Sequence, residues 1–458
     1  MLGIRSRAVS WRVFLQMATV GASTGVVKIV SAAKVVLTAR AFGMSDGLDA
    51  YLIAFLVPSF VCDTLAGALN SALVPTFIEV RERQGREAAN RLYQSALAGG
   101  LGILMSAAVL LACSAPLVLH LLASSFDPVK LALTCSLFWV MALTMPLAAF
   151  SVVWRSMLNV DGRFAIPAML PALSPLFSLT FLLLYGREWG VYSLAAGTMA
   201  GAAAETMLLG CFVFRRGYPI LPRWFGRSRA LDQVAVQYGP LIGGILLLGG
   251  APLIDQAIAG MLGSGSVAAL NYGTRLSVVL IAVGPTAVAT AILPHFSQLS
   301  VSQGWDHVRQ SLRSYAAIIV AITIPAVGAL MIFSQPLIRL FFERGSFTSS
   351  DTSLVAGVQS YSLLAIPPAM VMALVLRLIS SMKANRLILS ASALYAALNF
   401  ALDLLLTRWM GIKGITLSTA IVQFAVVTYL WRRLDREFEP RAEAAGISET
   451  PAIKMETQ

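Results

Sequence analysis

Histidine and cysteine are scarce. Three histidines and four cysteines in 458 residues leave few soft donors for a metal ion. Cys62, Cys113, Cys135 and Cys211 are scattered through apolar stretches. They are not grouped at ligand spacing, so neither a metal centre nor a disulfide framework is expected. Phosphate-binding and hydrolytic motifs are missing too: no HExxH, no P-loop and no Ser–His–Asp set. The chain is therefore not expected to be an enzyme or to hold a resident cofactor. Charge is the third shortage. Only 12% of the residues are charged, against about 25% in an ordinary soluble domain.

What fills the space is apolar. The hydrophobic share is 57% and the mean hydropathy is +0.77. A helix needs roughly 20 largely apolar residues to cross a bilayer core. Runs of that kind fall near 15–39, 50–76, 96–122, 131–153, 164–186, 191–213, 234–261, 267–294, 314–341, 353–379, 387–408 and 412–431. The expected fold is an all-α polytopic membrane protein with about twelve transmembrane helices. No small-residue cleavage site follows a short apolar core near the start, so no signal peptide is expected.

The net charge of +12 is not spread evenly. Basic residues gather at alternate span ends: Arg5, Arg7 and Arg12; "RERQGREAANR" at 81–91; Arg155 and Arg163; "RRGYPILPRWFGRSR" at 215–229; Arg309 and Arg313; Arg377, Lys383 and Arg386; and Arg432, Arg433 and Arg436. The loops between, such as "SSFDPVK" and "LGSGS", are poor in them. Such alternation sets orientation in a membrane and puts both termini in the cytoplasm. The basic charge thus marks membrane topology rather than a nucleic-acid partner.

The basic loop separates two sets of six spans. The expected organisation is an N-terminal lobe at 1–218, a cytoplasmic linker at 219–233, a C-terminal lobe at 234–436 and a polar, disordered cytoplasmic tail at 437–458. The halves resemble each other faintly, with Arg163 and Gly190 in the first matched to Arg386 and Gly414 in the second. An even number of spans between repeats makes the repeat parallel. Two lobes then enclose a central cavity, the usual layout of a transporter.

Polar residues within the spans are the site candidates, because they are costly there and usually functional. Thr24, Lys28, Ser31 and Lys34 share one broad face of the first span, and Lys28 is too deep to snorkel easily. Asp49 and Asp63 lie in the second span, Asp49 within reach of Lys34 or Arg40, and both are candidates for charge balance or gating. Pro58, with Gly43 and Gly67 nearby, predicts a bend or break in this span. Glu205, among small residues in the sixth span, suits a buried structural contact. Asn271 and Tyr272 precede Arg275 in the eighth span, and Asn399 and Asp403 lie one turn apart in the eleventh. These four polar neighbours are candidate cavity-lining residues, with Thr24 and Ser31. Lys28, Lys34 and Arg275 together would suit an anion. Arginine binds phosphate bidentately and lysine as a point charge. A cationic cavity among apolar spans fits an anionic head group on a lipid tail.

Several stretches carry a family resemblance: "VVLTARAFGMSDGLDAYLIAFLVPSF" (35–60), "LVPTF" (73–77), "LGSGSVAALNYGTRL" (262–276), "AILPHFSQLS" (291–300) and "PLIRLFFERGSFTSSDT" (336–352). The chain resembles the MurJ (MviN) lipid II flippases of the MOP exporter superfamily. The resemblance implies two six-helix lobes, alternating access, and a lipid-linked oligosaccharide diphosphate carried to the periplasmic leaflet. It implies substrate-binding roles for Lys28, Lys34 and Arg275, with Asp49 at the head of the second span. "LFFERGSF" is expected to end the ninth span and turn at Gly345, with Glu343 and Arg344 in gating or structural roles. Two departures stand out. Cys62 and Asp63 occupy the place of the family's second-span arginine pair, and the last apolar run ends near 431, short of spans thirteen and fourteen.

The implied protein is a monomer in the bacterial inner membrane, driven by the membrane potential or an ion gradient. Its partners would be the lipid-linked substrate, membrane lipids and envelope-polysaccharide synthesis enzymes. Three other functions stay open: an exopolysaccharide or O-antigen-type flippase, a MATE-like drug antiporter, and a non-transporting envelope scaffold.

Overall fold

The computed structural model describes residues 2–281, 304–381 and 385–448, and every element among them is helical. The first eleven helices are α1 (Leu2–Phe42), α2 (Asp46–Gln84), α3 (Arg86–Leu122), α4 (Pro128–Ala142), α5 (Thr144–Val160), α6 (Ala165–Met169), α7 (Leu173–Trp189), α8 (Tyr192–Arg215), α9 (Arg229–Gly249), α10 (Ala251–Met261) and α11 (Ser266–Gly273). Six more follow: α12 (Gly304–Ile332), α13 (Ser334–Phe342), α14 (Ser349–Leu363), α15 (Ile366–Ser381), α16 (Asn385–Met410) and α17 (Ile412–Ser448). The last helix thus extends into the segment whose composition suggests disorder.

Ten helical segments among the described residues are long and apolar enough to span a bilayer, and α9 with α10 makes an eleventh, bent by 41°. Their positions follow the predicted runs. The eighth predicted span begins as an apolar helix over Ser266–Ile281, and the rest of it lies outside the described residues. The ninth is shorter than predicted. It covers Val308–Ile332, and the chain then breaks into the separate short helix α13. Buried Ser334 marks the break, donating to the Ala356 carbonyl and accepting from Gln359 Nε2.

The second span is not broken at Pro58. Helix α2 runs through both Pro58 and Pro75. A proline costs one helical hydrogen bond, but α2 packs against α3, α4, α5 and α9 at once, and those neighbours hold it straight enough to continue. The turn falls earlier, at Gly43, whose φ of +56° suits glycine.

Packing divides the chain into two units: residues 1–268 with 341–351, and residues 269–340 with 352–458. In the first, α2, α3, α5 and α8 enclose a core around Phe77, Tyr93, Leu97 and Trp154, with Trp154 Nε1 donating to Tyr93 at 2.9 Å. Helices α7 and α8 meet backbone to backbone. A Cβ at Gly197 or Gly201 would stand 2.5 Å from the Cα of Ser178 or Ser174. Close approach over small residues is how helices associate in lipid, where apolar burial alone gives little drive. Leu110 and Leu117 on α3, 68% and 66% exposed, suit contact with lipid tails. At one end, Asp161 accepts from Arg81 at 3.3 Å and from the Tyr218 hydroxyl at 2.9 Å. Burial, and then the bond to Asp161, raise the Tyr218 phenol above its ordinary pKa.

In the second unit α12, α15 and α17 enclose a core around Leu312, Leu374, Val375 and Val422. Helices α16 and α17 meet as closely as α7 and α8: a Cβ at Gly414 would lie 2.5 Å from the Leu406 backbone. The faint repeat is real in local geometry but shifted in register. The turn before α8 is Gly190 at φ +52°, and its counterpart before α17 is Gly411 at φ +57°. Gly414 is already inside the helix and serves contact instead.

Candidate functional site

In the first unit the site candidates follow one face of α1. Thr24 and Lys28 are exposed, Ser31 and Lys34 half-buried. Lys28 has no hydrogen bond or ion pair among the described residues. Lys34 is anchored. Its Nζ donates to the Tyr51 hydroxyl at 3.1 Å and reaches Thr198 Oγ1 at 3.5 Å. Thr198 gives its only hydroxyl proton to the Leu194 carbonyl at 2.7 Å. Tyr51 must therefore donate to Thr198 across their 3.0 Å contact, which leaves the Tyr51 oxygen free to accept from Lys34. The lysine is held by neutral hydroxyls, and among the described residues no carboxylate pairs with it.

Asp49 has a different partner from the one expected. It does not pair with Lys34 or Arg40. It is fully buried, and its Oδ2 lies 3.0 Å from Nζ of Lys130 on α4. The same carboxylate accepts from the backbone N–H of Gly265 at 2.7 Å and of Ala268 at 2.8 Å. It thus caps the start of α11, where the helix dipole also favours a negative charge. Lys130 is itself buried, 2.5 Å from Asp46 and 3.9 Å from the centre of the Phe126 ring. Sequence reasoning passed over Lys130 because it stands in a loop otherwise poor in basic residues. The available signal was "DPVK": Asp127 caps α4 by accepting from the Lys130 N–H at 3.0 Å, which places Lys130 on the first helical turn.

Asp63 is exposed on α2 and makes no ion pair among the described residues. Glu205 is buried and pairs with Arg155 of α5 at 3.5 Å. The place of Arg155 near the end of an apolar run suggests a span-end charge, yet the fourth turn of α5 carries it inward.

"FERGSF" forms the expected turn. Gly345 has φ +66°, and a Cβ there would collide with the Arg40 carbonyl. That carbonyl accepts from the Ser346 N–H at 2.9 Å, and the Ala41 carbonyl from the Ser346 hydroxyl at 3.1 Å. The turn is thereby tied to the end of α1. Phe347 is buried, 5.8 Å from Phe342; Glu343 is half-buried and Arg344 exposed.

In the second unit Arg275 is exposed, with no hydrogen bond or ion pair among the described residues. The helix falters at Gly273 because α14 approaches too closely for a side chain: a Cβ there would stand 2.5 Å from Val358. Ser362 accompanies the break, its single hydroxyl proton shared between the Gln359 carbonyl at 2.9 Å and the Gly273 carbonyl at 3.2 Å, with Ser277 Oγ 3.0 Å away. Asn271 is half-buried. Tyr272, Asn399 and Asp403, expected on a cavity wall, are buried instead, at 3%, 0% and 0% exposure. Helix spacing put Asn399 and Asp403 on one stripe, but whether a neighbour covers that stripe is a matter of packing. Among the described residues no group of His, Cys, Asp and Glu could hold a metal ion.

The sequence model of the lipid II flippase MurJ family matches residues 38–455. The chain belongs to the MurJ family. The match begins after Lys28 and Lys34, so the reading of these two lysines rests on α1 itself. A probable lipid II flippase MurJ of Thermotoga maritima is 26% identical over 428 residues, covering 90% of this chain and 84% of the relative. That of Vibrio cholerae is 23% identical, covering 93% and 83%. Among solved structures, a lipid II flippase MurJ in an inward closed conformation has a TM-score of 0.79 at 21% identity, covering 91% of this chain and 87% of the other. An inward-facing multidrug-resistance MATE transporter of the MOP superfamily has a TM-score of 0.76 at 13% identity, covering 91% and 95%. MurJ and MATE proteins thus share this chain's fold, an all-α membrane-transporter architecture.

Proposed function

We propose that the chain is a flippase that moves lipid II, or a closely related undecaprenyl-diphosphate-linked saccharide, from the cytoplasmic to the periplasmic leaflet of the bacterial inner membrane. The MurJ family match over residues 38–455 carries this reading. Lys28 and Lys34 are the diphosphate-binding groups of the first unit and Arg275 that of the second. What supports them is missing counter-charge. Lys130 and Arg155, also in spans, are each paired with a carboxylate. Lys28, Lys34 and Arg275 are not, among the described residues. A cation in a low-dielectric region without an acid is costly until an anion arrives, and arginine and lysine both suit phosphate.

A pump for organic cations would want free acids. Asp49 and Glu205 are committed to Lys130 and Arg155, which leaves Asp63 as the one span acid of the three without an ion pair among the described residues and weighs against that alternative. The alternating basic clusters support cytoplasmic termini. With no nucleotide-binding motif in the sequence, the membrane potential or an ion gradient drives the cycle.

The test is depletion of the protein in its host, with lipid II in the outer leaflet measured by an impermeant probe. Loss of outer-leaflet lipid II and its accumulation inside are expected. Unchanged outer-leaflet lipid II after full depletion would reject the proposal.

A further inference from the structure

A second polar site lies inside the first unit. A pocket of about 390 Å³ opens among α1, α2, α5 and α6, lined by Asn70, Arg155, Asn159, Gly67, Val20 and Phe164. Its volume falls in the ~300–1,000 Å³ range of small-ligand sites, too large for a lone ion. Arg155 and Asn159 are four residues apart on α5 and present one face. Asn70 projects from α2, where Gly67 keeps the wall low.

The hydrogen-bond inventory is unbalanced towards donors. Arg155 has five N–H groups. Its Nε reaches the Ser151 carbonyl at 3.3 Å and one terminal nitrogen lies 3.5 Å from Glu205; the rest have no partner among the described residues. The Asn70 side chain meets the Ser156 hydroxyl, whose single proton also has the Val152 carbonyl at 2.8 Å, and the rest of the Asn70 amide is left to the pocket. The Asn159 side chain is uncommitted among the described residues. Glu205 offsets the charge of Arg155 without filling the pocket.

A doubly charged group would gain little from so balanced a pair. An oxygen-rich, singly charged or neutral group would gain several hydrogen bonds, with apolar walls at Phe164 and Val20 to take its carbon faces. We propose that this pocket is a saccharide subsite: Arg155, Asn70 and Asn159 donate to the hydroxyl and carboxylate oxygens of the transported head group, apart from the lysines that hold the diphosphate. The proposal rests on the flippase reading and specifies a second part of its substrate contact.

The experiment measures binding of two probes to purified protein in lipid nanodiscs: lipid II, and undecaprenyl diphosphate without sugar. Wild-type protein should bind both. R155Q should weaken lipid II binding by about tenfold to a hundredfold, the loss of one or two hydrogen bonds to a charged group. It should leave the sugar-free probe unchanged. N70A and N159A, which remove no charge, should show the same selectivity at smaller size. Equal weakening of both probes by R155Q, or wild-type binding of lipid II by all three variants, would overturn the subsite and leave the flippase reading standing. Wild-type protein that binds neither probe would overturn the flippase reading and the subsite with it.

Discussion

The Asp49 carboxylate joins two distant parts of the chain: it lies 3.0 Å from Lys130, 81 positions ahead, and accepts the Gly265 N–H at 2.7 Å, 216 positions ahead. It is fully buried, so its value is in completing a set. Removing Asp49 leaves the buried Lys130 with only the more exposed Asp46 as its acid; removing Lys130 leaves the buried Asp49 with no cation beside it among the described residues. D49A should destabilise the protein by about 3–5 kcal/mol, the usual cost of breaking a buried pair, with a further ~1 kcal/mol for the lost helix cap. The double variant D49A/K130M should recover part of the loss, because no buried charge is left alone. Thermal unfolding in detergent of the two single variants and the double reads the coupling directly. Strict additivity would show that the two side chains do not interact.

Arg275 is the reverse case, a cation with no ion pair among the described residues to lose. R275A should keep normal membrane levels and thermal stability, yet abolish translocation of lipid II. R275K should retain a fraction of the activity, since lysine keeps the charge but not the bidentate fork. Translocation assays on membranes with equal protein content decide it. Wild-type rates in R275A would remove this residue from the binding site.

Orientation is open to labelling. Single cysteines placed in 124–128 or 346–350, in a background lacking the four native cysteines, should react with an impermeant maleimide from outside intact cells. Cysteines in 84–90 or 222–230 should react only after the cells are opened. The Asp161 and Tyr218 cluster beside Arg81 then belongs to the cytoplasmic end. Labelling of 222–230 from outside would invert the topology.

Gly201 tests the α7–α8 contact. Even one methyl group there meets the Ser174 backbone at 2.5 Å. G201A should cost about 1–3 kcal/mol by overpacking, seen as a lower unfolding temperature. The same change at Gly190, whose Cβ would meet nothing within 4 Å, is resisted only by its φ of +52° and should cost less. A G201A protein as stable as wild type would show that these helices can move apart freely.

The sequence by itself determined the class of molecule. Apolar runs of bilayer length, separated by basic loops, can be satisfied only by helices that bond their own backbone, since lipid offers no hydrogen bonds. Span positions and the "FERGSF" turn at Gly345 were legible for that reason: each depends on residues close together along the chain. Tertiary structure decided the partners. Lys34 or Arg40 were the near candidates for Asp49, but Lys130 reaches it from another helix. Gly414 looked like a turn, yet Gly411 makes it and Gly414 packs against α16. Asn399 and Asp403 shared a polar stripe, and packing buried it. Arg155 read as a span-end charge until α5 carried it beside Glu205. Periodicity says which residues share a helix face. Which neighbour covers that face depends on how helices hundreds of residues apart fit together, and that is a property of shape that no local pattern encodes.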